Sequence, residues 1–392
     1  MRLLLYHYEE SPPFLVCQVL PLARQLQTLG HVVRIEPDNS GTTAALSQHE
    51  PCLTYWQRRF GFAHCCVRNR TQLLHDREVL RVFSPDVVLL YASPYRWSMT
   101  QACREAGVPL LTVIDQPAVL ACHQQGDLSM WHPPWLVAAI ERWNLRHSQV
   151  IITTNRAARQ RLRGYRLSAL IHVIPWGVER EWFAPLADAQ RQELGRAVGV
   201  TAPLVIGFLG PVAARPEREL LRQLLQATSA RKDAQWLVIG AGPAQAFLEQ
   251  AVARPGGAVF LDMPLPPRLG PLLQLMDVVA APCVTEATLT KCPLNILQCA
   301  AAGRALLASA RGDIPLLLDR GRAGLLVCDD DAETWLNLSR RLLDQPRLRQ
   351  ELGQHARRWV LRRFSWRRAA QAIDRLLPQA LKLAERRTTL GV

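Results

Sequence analysis

The stretch D-V-V-A-A-P-C-V-T-E-A-T-L-T-K-C-P-L-N-I-L-Q-C-A-A-A-G-R-A-L-L-A-S, Asp277 to Ser309, reads as a short buried strand, a polar loop, a small-residue helix and a second strand. The strand is Val278 to Ala281; Pro293 opens the helix and Gly303 follows its end. Proline suits the first helical position, whose N–H has no partner, and glycine suits the residue just past the last turn. The first turn of such a helix leaves backbone N–H groups unpaired and carries partial positive charge. A loop bearing Thr288, Thr290 and Lys291 leads onto that end, as a phosphate-bearing ligand requires. The same local pattern also fits an ordinary loop-helix joint of a parallel sheet.

Working outward, a chain of 392 residues is too long for a single core, and two domains are expected. Apolar residues make up 49% and charged residues 20%, a globular composition that argues against disorder. No apolar run is long enough to span a bilayer. The opening M-R-L-L-L-Y-H-Y-E-E turns acidic at once, and so reads as a first strand rather than a signal-peptide core. The ten cysteines show no C-x-x-C and no zinc-like spacing; they read as reduced packing residues of a cytosolic protein.

The net charge of +14 comes almost wholly from arginine, since Lys232, Lys291 and Lys382 are the lysines. R-R-W-V-L-R-R-F-S-W-R-R, residues 357–368, sets six arginines around Trp359, Phe364 and Trp366. Such a surface suits peripheral contact with an anionic membrane, and it equally suits a solvated helix face. No nucleic-acid-binding motif accompanies it, so no nucleic acid is expected as a partner. The expected location is the cytoplasm, with the Arg-rich segment allowing contact with the inner face of the cell membrane.

Apolar runs at Leu3–Tyr6, Val32–Ile35, Val87–Tyr91, Leu110–Ile114 and Val150–Thr153 predict buried parallel strands in the first half. Helical patterns separate them: Phe14 to Leu29, Trp97 to Ala106, and Trp135 to Arg146. A second set runs from Leu204 through L-V-I-G-F-L-G, W-L-V-I-G-A-G-P, A-V-F-L-D, D-V-V-A-A-P, A-L-L-A-S and G-L-L-V. I-P-W-G-V, Ile174 to Val178, lies between the halves and reads as a hinge. Strands alternating with helices predict an α/β fold of two Rossmann-like, doubly wound domains facing a cleft. Ligands of such sheets bind at the carboxyl ends of the strands.

These pieces, taken together, resemble a glycosyltransferase of the two-domain GT-B fold, in the family-four group of retaining enzymes that use nucleotide-sugar donors. The resemblance rests on L-G-H-V-V at 29–33, P-D-V-V-L-L at 85–90, I-P-W-G-V-E-R-E-W-F-A-P at 174–185, F-L-G-P-V at 208–212, V-I-G-A-G-P at 238–243, and A-A-A-G-R-A-L-L-A-S at 300–309. F-S-W at 364–366 precedes a helix that in such enzymes crosses back onto the N-terminal domain. The loop T-L-T-K-C-P-L-N-I-L-Q is similar to a subgroup with many members in surface polysaccharide assembly. The resemblance implies an acceptor-side domain over 1–172, a nucleotide-sugar-binding domain over 173–363, and a crossover helix and tail over 364–392.

It also implies site residues. Gly210 would let the donor pyrophosphate approach the backbone, and Arg215 would supply a forked cation for its phosphates; a solvated arginine beside Pro216 is the other reading. Gly240 and Gly242 would flank the nucleobase, or simply form a tight turn. Thr288, Lys291 and the backbone N–H groups of Leu294 and Asn295 would receive the phosphates, Glu286 lies in the same donor loop, and Gln298 falls where the ribose is held. Asp115, at the end of the fourth strand, would contact an acceptor hydroxyl. Arg215, Lys291 and Asp115 are thus the candidate catalytic residues. No metal and no cofactor beyond the nucleotide-sugar is implied, and the acceptor would be a glycan or a lipid-linked sugar.

Departures from the family pattern accompany the matches. The subgroup's lysine is Asn295 here, and its ribose-binding glutamate is Gln298. A hydrogen bond to a charged group contributes about 1.5–3 kcal/mol against about 0.5–1.5 for a neutral one, so this exchange could weaken donor binding about tenfold. Glu286 stands farther from Gln298 than in the common two-glutamate signature, Pro211 replaces the clamp arginine, and S-P-P-F at 11–14 replaces a glycine-rich acceptor loop. These changes motivate an alternative: a non-catalytic GT-B relative acting as a binding or scaffold partner in polysaccharide assembly. A sugar epimerase of similar fold is a third reading.

Overall fold

The computed structural model describes residues 1–8, 15–37, 61–125, 134–212, 215–285, 289, 293–328 and 331–390. The chain forms two compact units, one of Met1–Pro175 with the tail from Trp366, the other of Trp176–Leu289 with Pro293–Ser365.

The first unit is built on six parallel strands: β1 (Arg2–His7), β2 (Val32–Glu36), β3 (Val87–Tyr91), β4 (Leu110–Ile114), β5 (Val150–Thr153) and β6 (Leu170–Val173), in the order β2-β1-β3-β4-β5-β6. Every residue of β3, β4 and β5 is buried, because helices cover both faces of a parallel sheet and leave no side of the strand to water. Register places Leu4 beside Val88 and Leu111 beside Val150. Five apolar runs predicted five strands here, and the sheet has six. The added edge strand, β6, carries a half-exposed Leu170 and a histidine, so no continuous apolar run marks it. The helix Arg156–Arg163 starts where Asn155 Oδ1 accepts the Ala158 N–H at 2.7 Å, an N-cap bond that satisfies one orphan donor.

The tail returns to this unit. The helix Trp366–Asp374 packs on the helix Leu20–Thr28, burying Trp366, Ala369, Ala370 and Ile373. At its end Asp374 Oδ1 lies 3.0 Å from His31 Nε2. This is the predicted crossover.

The second unit holds β7 (Leu204–Leu209), β8 (Ala234–Ile239), β9 (Ala258–Leu261), β10 (Val278–Ala281), β11 (Ala305–Ser309) and β12 (Leu325–Val327), all parallel, in the order β12-β11-β10-β7-β8-β9. Its core gathers Trp236, Val238, Leu221, Leu224 and Trp335. Burying each such side chain contributes about 1.5–3 kcal/mol. Trp236 Nε1 also donates to Thr228 Oγ1 at 2.7 Å, so its polar atom carries no desolvation cost. Asp331 caps the helix Ala332–Asp344 by accepting the Thr334 N–H at 3.0 Å.

Part of the arginine excess is structural. Arg304 is half-buried and donates to the carbonyls of Gln274, Met276 and Ala302; desolvation pulls its pKa down to about 10. Arg357 donates to the carbonyls of Phe183 and Ala301. A planar guanidinium with several fixed donors can satisfy carbonyls that secondary structure leaves over. No helix among the described residues is long and apolar enough to cross a membrane.

Candidate functional site

The strand order of the second unit fixes where a ligand can enter it. From β7 the chain steps outward to β8 and β9, then returns to β10 on the other side of β7 and continues to β11 and β12. The reversal falls between β7 and β10, paired through Ile206↔Val278 and Gly207↔Val279. Connections leave these two strands in opposite directions, so a crevice opens at their carboxyl ends.

Gly210 follows β7 directly. A Cβ on it would come within 2.5 Å of the Gly240 carbonyl oxygen and 2.9 Å of the Phe208 ring, so no larger residue fits without moving the backbone. Gly240, after β8, has φ +71°, a left-handed conformation that glycine adopts without strain. Gly242 lies two residues on with nothing within 4 Å of where its Cβ would be.

On the β10 side the helix is Leu294–Ala301, with Pro293 at its N-cap rather than its first helical position. Asn295 Nδ2 donates to the Leu209 carbonyl at 3.0 Å and its Oδ1 accepts the Ile296 N–H at 2.9 Å. Leu294 is half-buried and Gln298 is buried. Arg215 opens the helix Arg215–Thr228 and is exposed. Gly210, Gly240, Asn295 and the helix start at Leu294 are therefore brought together at one edge of the sheet. Glu286, Thr288 and Lys291 lie outside the described residues.

Sequence reasoning missed Glu217 in this region. It is 4% exposed, and its Oε1 accepts the backbone N–H groups of Val284 at 2.8 Å and Thr285 at 2.9 Å. Cys283 N–H donates to Ser309 Oγ at 3.0 Å. Burial, with the Glu217 charge adding to it, pushes the Cys283 thiol up to about 12, so this sulfur stays protonated and unreactive at neutral pH. A single acid in a helix's first turn forms no motif, and its partners lie far away in sequence.

Asp115 belongs to the other unit, at the carboxyl end of β4. It accepts from Thr154 Oγ1 at 2.9 Å, a bond that holds its carboxylate at the strand end. Beside it a pocket is lined by Ser93, Tyr95, Ile114, Gln116, Glu141 and Asn144, among others. Glu141, also missed, accepts the Ala118 N–H and the Tyr165 hydroxyl, each at 2.6 Å. Burial raises its pKa despite both bonds, since removing a carboxylate from water penalises its charged form.

The Arg-rich segment divides in use. Arg357 is engaged by carbonyls and Trp366 is 2% exposed, whereas Arg358, Arg362, Arg363, Arg367 and Arg368 are exposed. The Arg363 guanidinium lies over the Trp359 ring at 4.9 Å.

Two parallel, helix-covered sheets, one with a nucleotide-fold strand order and its ligand crevice at a switch point, define the GT-B architecture. Full-length structural neighbours agree. The sucrose-phosphate synthase of Thermosynechococcus elongatus superposes with a TM-score of 0.71 at 17% identity, covering 97% of this chain and 99% of that one. Anabaena HepE in complex with UDP-glucose superposes at 0.69 with 15% identity, covering 96% and 99%.

Family models match each half. The model described as Glycosyltransferase Family 4 covers residues 18–182, and the one described as Glycosyl transferases group 1 covers 203–345. The first half thus carries a Family 4 glycosyltransferase match and the second a group 1 glycosyltransferase match, on a GT-B fold. Among curated relatives, the D-inositol 3-phosphate glycosyltransferase of Corynebacterium jeikeium is 28% identical over 60% of this chain and 59% of its own length. That of Saccharomonospora viridis is 30% identical over 62% and 58%. The phosphatidylinositol monomannoside mannosyltransferase of Mycolicibacterium smegmatis, named as GDP-mannose-dependent, is 27% identical over 62% and 66%. The chain thus spans about three fifths of the length of the first relatives it matches.

Proposed function

We propose that this chain transfers a sugar from a nucleotide-sugar donor, with retention of configuration, to a glycan or lipid-linked acceptor in surface polysaccharide assembly. The observation that carries the donor half is the Asn295 to Leu209 bond. It ties the start of the helix Leu294–Ala301 to the residue preceding Gly210, across the switch point where a diphosphate would lie. HepE, whose structure was determined with UDP-glucose, supports a nucleotide-sugar donor. A relative named for its action on a phosphatidylinositol mannoside supports a lipid-linked acceptor.

In this reading Gly210 admits the pyrophosphate, Gly240 and Gly242 border the nucleobase, and Gln298 holds the ribose. Thr288, Lys291 and the N–H groups of Leu294 and Asn295 receive the phosphates, and Glu286 belongs to the same donor loop. Arg215, Lys291 and the helix start stabilise the charge on the departing diphosphate, the electrostatic contribution that often dominates catalysis, and no metal enters the scheme. Asp115 faces the acceptor hydroxyl, whose proton passes to the leaving phosphate. The proposed setting is cytoplasmic, and the exposed arginines of 358–368 support peripheral contact with an anionic membrane.

A second reading, a non-catalytic scaffold, is favoured by Asn295, Gln298 and Pro211, which stand where the subgroup carries a lysine, a glutamate and the clamp arginine. Thermal unfolding with UDP or GDP separates the two, because a ligand that binds only the folded state raises its stability. The transferase reading expects a rise with one of them, and about tenfold weaker diphosphate binding in Arg215→Ala and in Lys291→Ala. No rise with either nucleotide supports the scaffold, and unchanged affinity in both variants removes the phosphate assignment.

A further inference from the structure

Glu217 lies in the first turn of the helix that follows β7, yet its carboxylate is spent on the loop that follows β10. These are the two strands at which the sheet order reverses. One oxygen receives two consecutive backbone N–H groups, and a carboxylate makes stronger bonds to such donors than a neutral acceptor does. Ser309, at the end of β11, holds the residue before them, and the Arg311 guanidinium reaches the Val284 carbonyl at 3.4 Å. The loop Pro282–Thr285 is thereby held from two neighbouring strands, and Glu217 is the tether that reaches across the switch point. Arg215 stands two residues before Glu217 on the same helix turn, so the bond also fixes where this cation begins relative to the loop.

We propose that Glu217 is a positioning residue of the donor site: it sets the spacing between the Arg215 helix start and the post-β10 loop so that both address one diphosphate. This rests on the donor-site reading above. Because the carboxylate oxygen binds backbone N–H groups of the post-β10 loop, its loss acts on the phosphate-binding geometry and leaves the nucleobase side untouched.

The test compares wild type, Glu217→Ala and Glu217→Gln, using UDP, GDP and ADP, each alongside its nucleoside, together with amide hydrogen exchange over 282–285. Glutamine keeps a carbonyl oxygen for the two N–H groups; alanine leaves them unpaired. The expected result is about tenfold or greater loss of diphosphate affinity in Glu217→Ala. Nucleoside affinity stays unchanged, exchange over 282–285 quickens, and Glu217→Gln recovers to within about threefold. Equal losses of diphosphate and nucleoside affinity would mark a merely structural residue and overturn the proposal. So would unchanged diphosphate affinity in Glu217→Ala, with donor binding itself left standing. If Glu217→Ala does not fold, Glu217→Gln decides by itself: intact loop protection with diphosphate affinity lost beyond threefold contradicts the tether. Wild type that binds none of the three diphosphates removes the donor reading and this inference together.

Discussion

Asn295, in the first turn of its helix, donates its side-chain amide to the carbonyl oxygen of Leu209, the last residue of β7, at 3.0 Å. One neutral hydrogen bond thus couples the helix whose N–H groups face the switch point to the strand end that carries Gly210. Such a bond contributes about 0.5–1.5 kcal/mol, and leaving its carbonyl partner unsatisfied costs more. Asn295→Leu is expected to weaken UDP or GDP binding by about three- to tenfold in titration calorimetry. Equal affinity in the two proteins would show that the helix start does not depend on this bond.

Gln298 is buried in the same helix, where a carboxylate would accept ribose hydroxyls more strongly than an amide does. Gln298→Glu is expected to tighten nucleotide-sugar binding by up to about tenfold. A variant that binds more weakly would show that the cost of burying the charge exceeds what the ribose returns.

Glu141 gives the first unit a pH-dependent stability. Its folded-state pKa is raised above that of the unfolded chain, chiefly by burial. The folded state therefore holds its proton more tightly, and the associated stability is full below the unfolded value. That stability is lost as pH rises through the folded one. Glu141→Gln keeps an oxygen for the Ala118 N–H without the titration. Urea midpoints from pH 4 to 8 should fall with pH in wild type relative to this variant; parallel profiles would contradict the assignment.

The arginines of 357–368 separate into two experimental classes. Arg357→Ala removes a donor from the Phe183 and Ala301 carbonyls and should cost about 1–3 kcal/mol of stability, leaving any partitioning onto anionic vesicles intact. The double change Arg362→Ala with Arg363→Ala should leave stability within about 0.5 kcal/mol and reduce partitioning in a salt-dependent way. No binding of wild type to such vesicles at low salt would end the membrane proposal.

Most strands were legible because residues such as Val87–Tyr91 and Leu110–Ile114 are buried on both faces and carry no polar side to break the run. Leu170–Val173 escaped because an edge strand half open to water has no such run. The 23-residue helix Gly61–Phe83 also went unpredicted, since its charges are scattered along its length. The lining of the crevice was legible where the signal is local, as with Gly210 directly after its strand. It was not legible where the chemistry is a pairing of distant segments. Nothing near Glu217 names Val284, and nothing near Asn295 names Leu209; only the return of β10 to the far side of β7 makes them neighbours.

The helix Trp366–Asp374 lies beyond the second unit in sequence yet folds with the first, buried through Trp366 and joined to His31 by Asp374. The first unit is therefore not one uninterrupted stretch of gene. A fragment cut at Pro175 would be born without the cover for its Leu20–Thr28 helix and would expose apolar surface. A chimaera pairing this first unit with a foreign second unit would have to carry the tail across the splice as well. Exchange between homologues thus needs two junctions, and a recombination event with a single junction is expected to yield insoluble protein.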